Sequence, residues 1–414
     1  MAERAERLPG PVKGLSLVSL FNDFASEMVY PVLPAFITGP LGGSALALGA
    51  LDGAADLTAA LIKWVSGRLA DRRGWAKPLI LAGYGVAVLV RPLISLAASA
   101  WQVIGFRVID RVGKGLRTPP RDAVIASITD SGLRGRAFGF NRAMDHLGAV
   151  LGSLAAWALL QAHVGVREVI GWSALPGVVA VLVLLVALRG VNGKRSTVNG
   201  ERSTVNGERS TVNGERSTGK GKPPVTRDAT GGAYWLPVGV LILLTVGKLP
   251  ETLLLLRLQQ LGVPVALIPL AWAALHVVRS GFSYPGGWLT DRLGARVMLP
   301  LGAAVYIGVV LLLSLALGEL AALGVFLLFG LVAGLSEPAE RVVVGKLAPV
   351  RTGRGFGDYQ AVAGLAALPA GIAFGAVYKA GNGPSALLLS AAVLGAGALL
   401  WLGVGRRVGD SARR

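Results

Sequence analysis

Long apolar segments alternate with short polar ones along almost the whole chain. Twelve of these segments each hold the ~20 mostly apolar residues that an α-helix needs to cross a lipid bilayer. They lie at residues 15–38, 44–66, 78–99, 101–118, 135–161, 169–189, 234–257, 264–286, 297–317, 320–344, 355–379 and 385–405. Lipid offers no partner to unpaired backbone groups, so each segment is predicted to be helical. The pattern therefore predicts an all-α membrane protein with twelve transmembrane helices.

Two short phrases recur between the segments at nearly the same spacing. The phrase GRLADRRG at residues 67–74 is echoed by GWLTDRLG at 287–294, and RAFG at 136–139 is echoed by RGFG at 354–357. The first pair starts 220 residues apart and the second 218. Two independent matches at nearly one offset indicate that a six-helix unit has been duplicated.

The chain divides into two apolar parts joined by a polar linker. Residues 1–190 and 234–414 each contain six segments and are predicted to form two six-helix bundles. Repeats of Arg-Ser-Thr-Val-Asn-Gly-Glu begin at Arg195, Arg202 and Arg209 and fade at Arg216. Residues 191–233, which contain these repeats rich in Gly, Asn, Ser and Thr, are predicted to form a disordered linker. Parallel repeats of this kind are related by a pseudo-twofold axis normal to the membrane, with a site at the midplane between them.

Composition and charge agree with a membrane protein. The chain is 53% hydrophobic and 15% charged, with a mean hydropathy of +0.60 and a net charge of +18. The excess Lys and Arg follow segments two, four, eight and ten, whereas residues 39–43 and 97–101 carry no charge. The positive-inside rule then places both termini and the linker in the cytoplasm of a multi-pass plasma-membrane protein. The bilayer, rather than nucleic acid, explains the basic balance.

The chain offers little for enzymatic chemistry. It contains no cysteine and three histidines, which excludes disulfides and thiolate metal sites. A membrane-embedded enzyme would need a nucleophile with an adjacent base, or a metal cluster. We expect neither an enzyme nor a cofactor or metal, and a membrane enzyme stays a remote alternative.

Ionisable side chains within the segments are the strongest functional signal. A charge at the bilayer centre costs ~2.5–3.5 kcal/mol even on the lenient insertion scale, so such groups must face protein or water. The candidates for proton coupling are Asp23, Glu27, Asp52, Asp56, Asp145 and His146. Their expected charge partners in a cavity are Asn22, Arg107, Asp110, Arg111, Lys114 and Arg142. The candidates for substrate contact in the second half are Lys248, Glu251, Glu337, Tyr359 and Gln360.

The fourth segment carries a stripe of charges at helical spacing. Arg107, Asp110, Arg111 and Lys114 are separated by steps of three, one and three residues, which keeps them on one face. We expect this stripe to meet Asp23 and Glu27 across a cavity. A buried ion-pair network that only fixes helix packing is the competing interpretation.

With these motifs the chain resembles the major facilitator superfamily, and segments one, four and eight are similar to those of a prokaryotic subgroup. The resemblance implies secondary transport, often proton-coupled efflux by antiport, usually by a monomer. It also implies a cytoplasmic latch that holds the outward-facing state. The latch residues would be Gly67, Asp71, Arg72, Gly74, Gly287, Asp291, Arg292 and Gly294. Drug exporters of this family usually carry a Gly-Pro pair in segment five, whereas here Gly148 and Gly152 predict only close helix packing.

The sequence thus predicts a secondary active transporter that moves a small solute by alternating access, coupled to protons and directed outward. In this hypothesis Asp23 or Glu27 takes up a proton as the cavity closes, and Arg107 or Arg111 binds the carboxylate when the proton leaves. A uniporter or importer of an anionic solute is the alternative.

Overall fold

Helices account for every regular element of the described structure. We analysed a computed structural model, which describes residues 8–70, 74–129, 134–189, 232–347, 352–381 and 383–410. The helices are α1 (Gly10–Val29), α2 (Leu33–Thr38), α3 (Ala45–Ala70), α4 (Ala76–Leu93), α5 (Ala100–Ser127), α6 (Arg134–Gln161), α7 (Val166–Trp172), α8 (174–189), α9 (Gly232–Val246), α10 (Glu251–Gln260), α11 (Ile268–Leu293), α12 (Ala295–Ser314), α13 (Glu319–Leu347), α14 (Thr352–Ala380) and α15 (Pro384–Asp410).

Most of these helices are built to cross a membrane. Ten helical stretches in the described ranges are long and apolar enough to do so, with α7 joined to α8 and α9 joined to α10. The other two predicted segments correspond to α1 with α2 and to α5, which are long but carry the ionisable candidates. The prediction of an all-α membrane protein is confirmed.

Short connections make successive long helices run in opposite directions. We call the side of the bundle where α1 begins and α15 ends the termini side, and the opposite side the far side. The helices α3, α5, α11 and α13 run from the far side towards the termini side. The helices α1, α4, α6, α12 and α14 run the other way.

Packing follows the same scheme before and after the linker. The helix α5 packs on α3 and α4, and α13 packs in the same way on α11 and α12. The helix α1 packs on α6, where a Cβ added at Gly148 or Gly152 would lie 2.2 or 2.3 Å from a backbone oxygen of α1. Helices this close require glycine at both positions. The predicted packing role of this glycine pair is confirmed.

One predicted boundary is wrong by nine residues. The fourth segment was expected to end at residue 118, but α5 continues through Pro119 and Pro120 to Ser127. Neighbouring helices hold the extension in place. Arg117 donates to the Gly83 carbonyl oxygen at 3.3 Å, and Arg121 donates to Ser19 Oγ at 2.6 Å. Both arginines therefore belong to the helix and anchor α5 to α4 and α1.

The seventh segment is also not one continuous helix. It breaks between α9 and α10, where Gly247 and Pro250 flank the gap. Side chains from other helices satisfy the backbone groups that the break releases. Tyr306 Oη accepts from Leu249 N at 2.6 Å, and Ser390 Oγ donates to the Gly247 oxygen at 2.7 Å. The break puts Lys248 and Glu251 beside the central cavity described below.

Both copies of the repeated phrase end in a glycine with a positive φ angle on the termini side. Gly74 has a φ of 89° and Gly294 a φ of 77°, a backbone region in which side chains with a Cβ are strained. Gly67 and Gly287 lie in the last turns of α3 and α11. Asp71 and Arg72 lie outside the described residues, and Asp291 occupies the third-last position of α11.

Two helix pairs make the most extensive contacts between the part before the linker and the part after it. The helix α3 packs along α14, and α6 packs along α11. A Cβ at Gly49 would lie 2.0 Å from the Gly371 oxygen, and one at Gly53 would lie 2.8 Å from the Ala367 oxygen. These contacts lie in the far-side portion of α3, so the two parts are tightly packed there.

Candidate functional site

A cavity of about 720 Å³ lies between the two parts of the chain. The helices α3, α5, α11, α13 and α14 supply most of its wall. The rest comes from the residues around the break between α9 and α10, from Glu27 on α1 and from Tyr30, which follows α1. The candidates that line it are Glu27, Asp52, Asp56, Arg107, Arg111, Lys114, Lys248, Glu251, Glu337, Tyr359 and Gln360. The candidates Asn22, Asp23, Asp110, Arg142, Asp145 and His146 are not among its lining residues.

Asp52 connects the two walls on the far side. Its Oδ2 accepts hydrogen bonds from Thr252 Oγ1 at 2.7 Å and Thr252 N at 3.2 Å, at the first turn of α10. The hydroxyl of Tyr30, between α1 and α2, lies 3.3 Å from both carboxylate oxygens. One carboxylate on α3 is therefore bound by donors from both sides of the cavity.

A second connection lies beside the first. Trp272 on α11 donates its indole N–H to Glu27 Oε2 at 2.8 Å. The ring of Trp272 also packs against Tyr30, with 5.3 Å between centroids. Tyr30, Leu48 and Trp272 are all buried, so this layer separates the cavity from the far side.

Solvent reaches the cavity from the other direction. Asp56, Lys114, Glu337 and Gln360 are exposed although each lies within a membrane-length helix and lines the cavity. They stand nearer to the termini side than the layer of Tyr30 and Trp272 does. The described structure is thus closed on the far side and accessible from the termini side.

Asp110 is the centre of a buried ion network rather than a cavity residue. Arg91 on α4 pairs with it at 2.9 Å, and Arg107 pairs with it at 3.5 Å. Arg91 also donates to the backbone oxygen of Asn22 at 2.8 Å. This triad ties α1, α4 and α5 together. The packing interpretation of the charge stripe therefore applies to Asp110, while Arg111 and Lys114 face the cavity.

Asp23 and Asp145 belong to a polar cluster between α1 and α6. Asn22 donates to Asp23 Oδ1 at 2.9 Å, and Asn141 donates to Asp145 Oδ2 at 3.4 Å. Arg142 lies 3.7 Å from Asp145. No ion pair within 4.0 Å joins the described Asp23 or Glu27 to Arg107 or Arg111. Glu27 nevertheless lines the same cavity as Arg107 and Arg111, whereas Asp23 lies outside that lining.

The opposite wall holds charges that are already paired. Arg279 on α11 forms an ion pair with Glu251 and lies over the rings of Trp272 and Phe329 at 5.4 and 5.1 Å. Lys248 lies 3.7 Å from Glu340. The Tyr359 hydroxyl is 3.0 Å from Thr245 Oγ1. No group of His, Asp and Glu in the described ranges is placed to hold a metal ion.

Sequence reasoning missed several residues that shape the site. Arg91 carried a usable signal, because it is a charge inside an apolar segment. Thr252, Tyr30 and Trp272 carried none, since hydroxyl and aromatic side chains are common in membrane helices. Their roles arise from pairing across the two parts of the chain, which no local pattern encodes.

The fold and site define a class of protein: a helical membrane protein with a polar cavity between two packed parts. The sequence model of the Major Facilitator Superfamily matches residues 15–339. The chain belongs to the Major Facilitator Superfamily and is a multi-pass membrane transporter, not an enzyme. Members of this family bind small molecules within the membrane and usually work as monomers.

Relatives in an archaeon and in bacteria agree with this assignment. An uncharacterized MFS-type transporter of Methanocaldococcus jannaschii is 27% identical over 374 residues, which cover 88% of this chain and 87% of that protein. An uncharacterized protein of Mycobacterium tuberculosis is 29% identical over 83% of this chain and 81% of its own length. The multidrug resistance protein MdtH of Photorhabdus laumondii is 32% identical, but over only 32% of this chain and 33% of that protein.

Solved transporters share the fold. The nucleoside transporter NupG superposes with a TM-score of 0.71 at 14% identity and covers 95% of this chain and 100% of its own. A POT family transporter in complex with 5-aminolevulinic acid has a TM-score of 0.74 at 12% identity and covers 97% of both chains. At this identity the likeness concerns the fold alone.

Proposed function

We propose that this transporter moves a small solute by alternating access, that protons drive it, and that the solute leaves the cell. The cavity is the solute site. The layer of Asp52, Thr252, Glu27 and Trp272 is the gate that opens to the far side. The excess of Lys and Arg in the termini-side loops favours a cytoplasmic location for that side, in the plasma membrane. The state described here is then inward-facing.

The double role of Asp52 carries the proposal of proton coupling. Asp52 accepts two hydrogen bonds from Thr252 in this state, in which the far side is closed. Opening of the gate would separate the two residues, because they lie on opposite sides of it. Hydrogen bonds to a charged acceptor are roughly twice as strong as those to a neutral one. Protonation of Asp52 therefore weakens the closed gate, and opening of the gate exposes Asp52 to the far side. Proton binding and gate position are linked through this one group.

Other candidates take secondary places in this scheme. Glu27 belongs to the same gate and is the second carboxylate whose bond crosses it. Asp23 and Asp145 lie outside the cavity wall, so we assign them to communication between α1 and α6 rather than to solute contact. The outward direction rests on the family resemblance and on the partial similarity to a multidrug resistance protein.

The test compares Asp52→Asn with the wild type in proteoliposomes. Asn keeps the shape and the acceptor oxygen but does not titrate. We expect a solute gradient to drive no proton flux in Asp52→Asn, whereas exchange of solute across the membrane without a proton gradient persists. Glu168→Gln is the matched control, because Glu168 is an exposed acid on α7 outside the cavity.

Unchanged proton flux in Asp52→Asn contradicts the role of this residue. Solute flux in the wild type that no proton gradient accelerates identifies a uniporter instead. Net inward accumulation would identify an importer.

A further inference from the structure

Three basic side chains share one wall of the cavity. Lys63 lies on α3, and Arg111 and Lys114 lie one turn apart on α5. The two helices are pressed together at Gly115, where an added Cβ would lie 2.5 Å from Ile62 Cβ and 3.2 Å from Lys63 N. This close approach fixes the three cations on one patch. We call Lys63, Arg111 and Lys114 the basic patch.

Among the residues that the structure describes, the basic patch differs from the other cavity cations in having no ion-pair partner. Arg107 pairs with Asp110, Lys248 with Glu340, and Arg279 with Glu251. In the described ranges, no carboxylate oxygen lies within 4.0 Å of a cationic nitrogen of the patch. The Arg111 Nε is buried and has no hydrogen-bond acceptor.

One lining carboxylate influences the whole patch from a greater distance. Asp56 on α3 interacts electrostatically with Lys63, Arg111 and Lys114. Two carboxylates outside the lining act on single members of the patch: Asp23 on Lys114 and Asp122 on Lys63. At the patch itself the lining therefore presents three cations and the one carboxylate of Asp56, whereas Glu27, Asp52 and Glu337 line other parts of the cavity. Charges held inside a membrane protein are costly unless an opposite charge offsets them.

We infer that the basic patch binds the anionic end of the transported solute, and that this end carries two negative charges in a small group. A phosphate monoester and a short dicarboxylate share this chemistry. The planar fork of Arg111 presents paired donors to two oxygens, while Lys63 and Lys114 add point charges from the side. The inference rests on the proposed transport function and names the class of its solute.

Binding to the purified protein in detergent tests the inference without any transport. The probes are succinate and methyl phosphate, with succinamate and succinamide as matched compounds of charge −1 and 0. Calorimetry and thermal unfolding at low ionic strength measure affinity, since a ligand that binds the folded state raises the unfolding temperature. We expect one of the two dianions to bind, and the affinity to fall from dianion to monoanion to the neutral amide.

Variants then locate the site. Lys63→Gln, Arg111→Gln and Lys114→Gln each remove a charge-assisted hydrogen bond, so each is expected to weaken binding by about tenfold or more. Asp56→Asn removes the competing carboxylate and is expected to tighten it. Arg68→Gln is the control, because Arg68 lies on the same helix, over the ring of Trp64 and outside the cavity lining.

Several results would overturn the inference. These are no binding of either dianion to folded protein, equal affinity for succinamide, or a loss in Arg68→Gln as large as in Lys63→Gln. Failure of the proposed function looks different. If dianions bind but no proton-driven flux is found, the anion site stands and proton coupling is rejected. If a cationic solute shows proton-driven flux and no dianion binds, the anion site is rejected and the transport proposal stands.

Discussion

Asp52 and Asp56 show how one sequence pattern divides into two roles at the scale of single residues. They are four residues apart, so they lie on the same face of α3 and looked equivalent in the sequence. In the structure Asp52 is bound by Thr252 across the gate, whereas Asp56 is exposed in the cavity beside the basic patch. One helical turn is enough to separate a gate residue from a residue that tunes the solute site.

Arg91 provides a prediction at the same scale. Arg91→Met leaves Asp110 buried with Arg107 as its remaining partner. Breaking a buried ion pair costs ~3–5 kcal/mol, and the remaining arginine reduces the expected loss to about 2–3 kcal/mol. Thermal or denaturant unfolding in detergent measures it. Arg68→Gln removes an exposed cation that lies over the ring of Trp64 and is expected to cost no more than about 1 kcal/mol. Equal stability of Arg91→Met and the wild type would show that the triad does not hold α4 and α5 together.

Glycine positions decide the packing at the scale of helices. Gly49 and Gly371 allow α3 and α14 to touch backbone to backbone, and Gly148 and Gly152 do the same for α1 and α6. Proline has two different effects. Pro119 and Pro120 lie inside the continuous helix α5, whereas Pro250 lies at the break between α9 and α10. The break before α10 is stable because side chains on neighbouring helices, such as Tyr306, bind the backbone groups that it leaves without partners in its own helix.

Gly49→Ala is the prediction that belongs to this scale. The added methyl group would overlap the Gly371 oxygen, so the far-side contact of α3 with α14 must loosen. Overpacking of this kind costs about 1–3 kcal/mol, and we expect a lower unfolding temperature. Gly85→Ala on α4 is the matched control, since nothing lies within 4 Å of its added Cβ. A loss in Gly85→Ala equal to that in Gly49→Ala would contradict the packing argument.

The orientation of the protein in the membrane is a property of the whole molecule, and single introduced cysteines can test it. The chain contains no cysteine, so any introduced thiol is the only one. Ala162, exposed between α6 and α7, marks the far side, and Arg68, exposed near the end of α3, marks the termini side. We expect a membrane-impermeant maleimide to label Ala162→Cys in intact cells and Arg68→Cys only after permeabilisation. The reverse pattern would place the termini outside and invert the proposed direction of transport.

The sequence by itself determined the helical class, the positions of the membrane segments and the family. These follow from the length of apolar runs, the charge of the loops and the repeated phrase, which are all local properties. The sequence also located most of the polar residues of the cavity. A charged residue in an apolar segment can be recognised without knowing how the helix packs. The end of α5 and the break before α10 could not be predicted, since both depend on donors and acceptors from other helices.

Only the tertiary structure decided which charges pair and which stay without a partner. Lys63, Arg111, Lys114 and Arg279 are all charges inside apolar segments, and the sequence does not separate them. Arg279 differs because Glu251 on another helix comes close enough to form an ion pair. The same holds for the gate, where Asp52 meets Thr252 two hundred residues later in the chain. Coulomb and hydrogen-bond energies depend on distance in space, and the order of residues along the chain does not fix that distance.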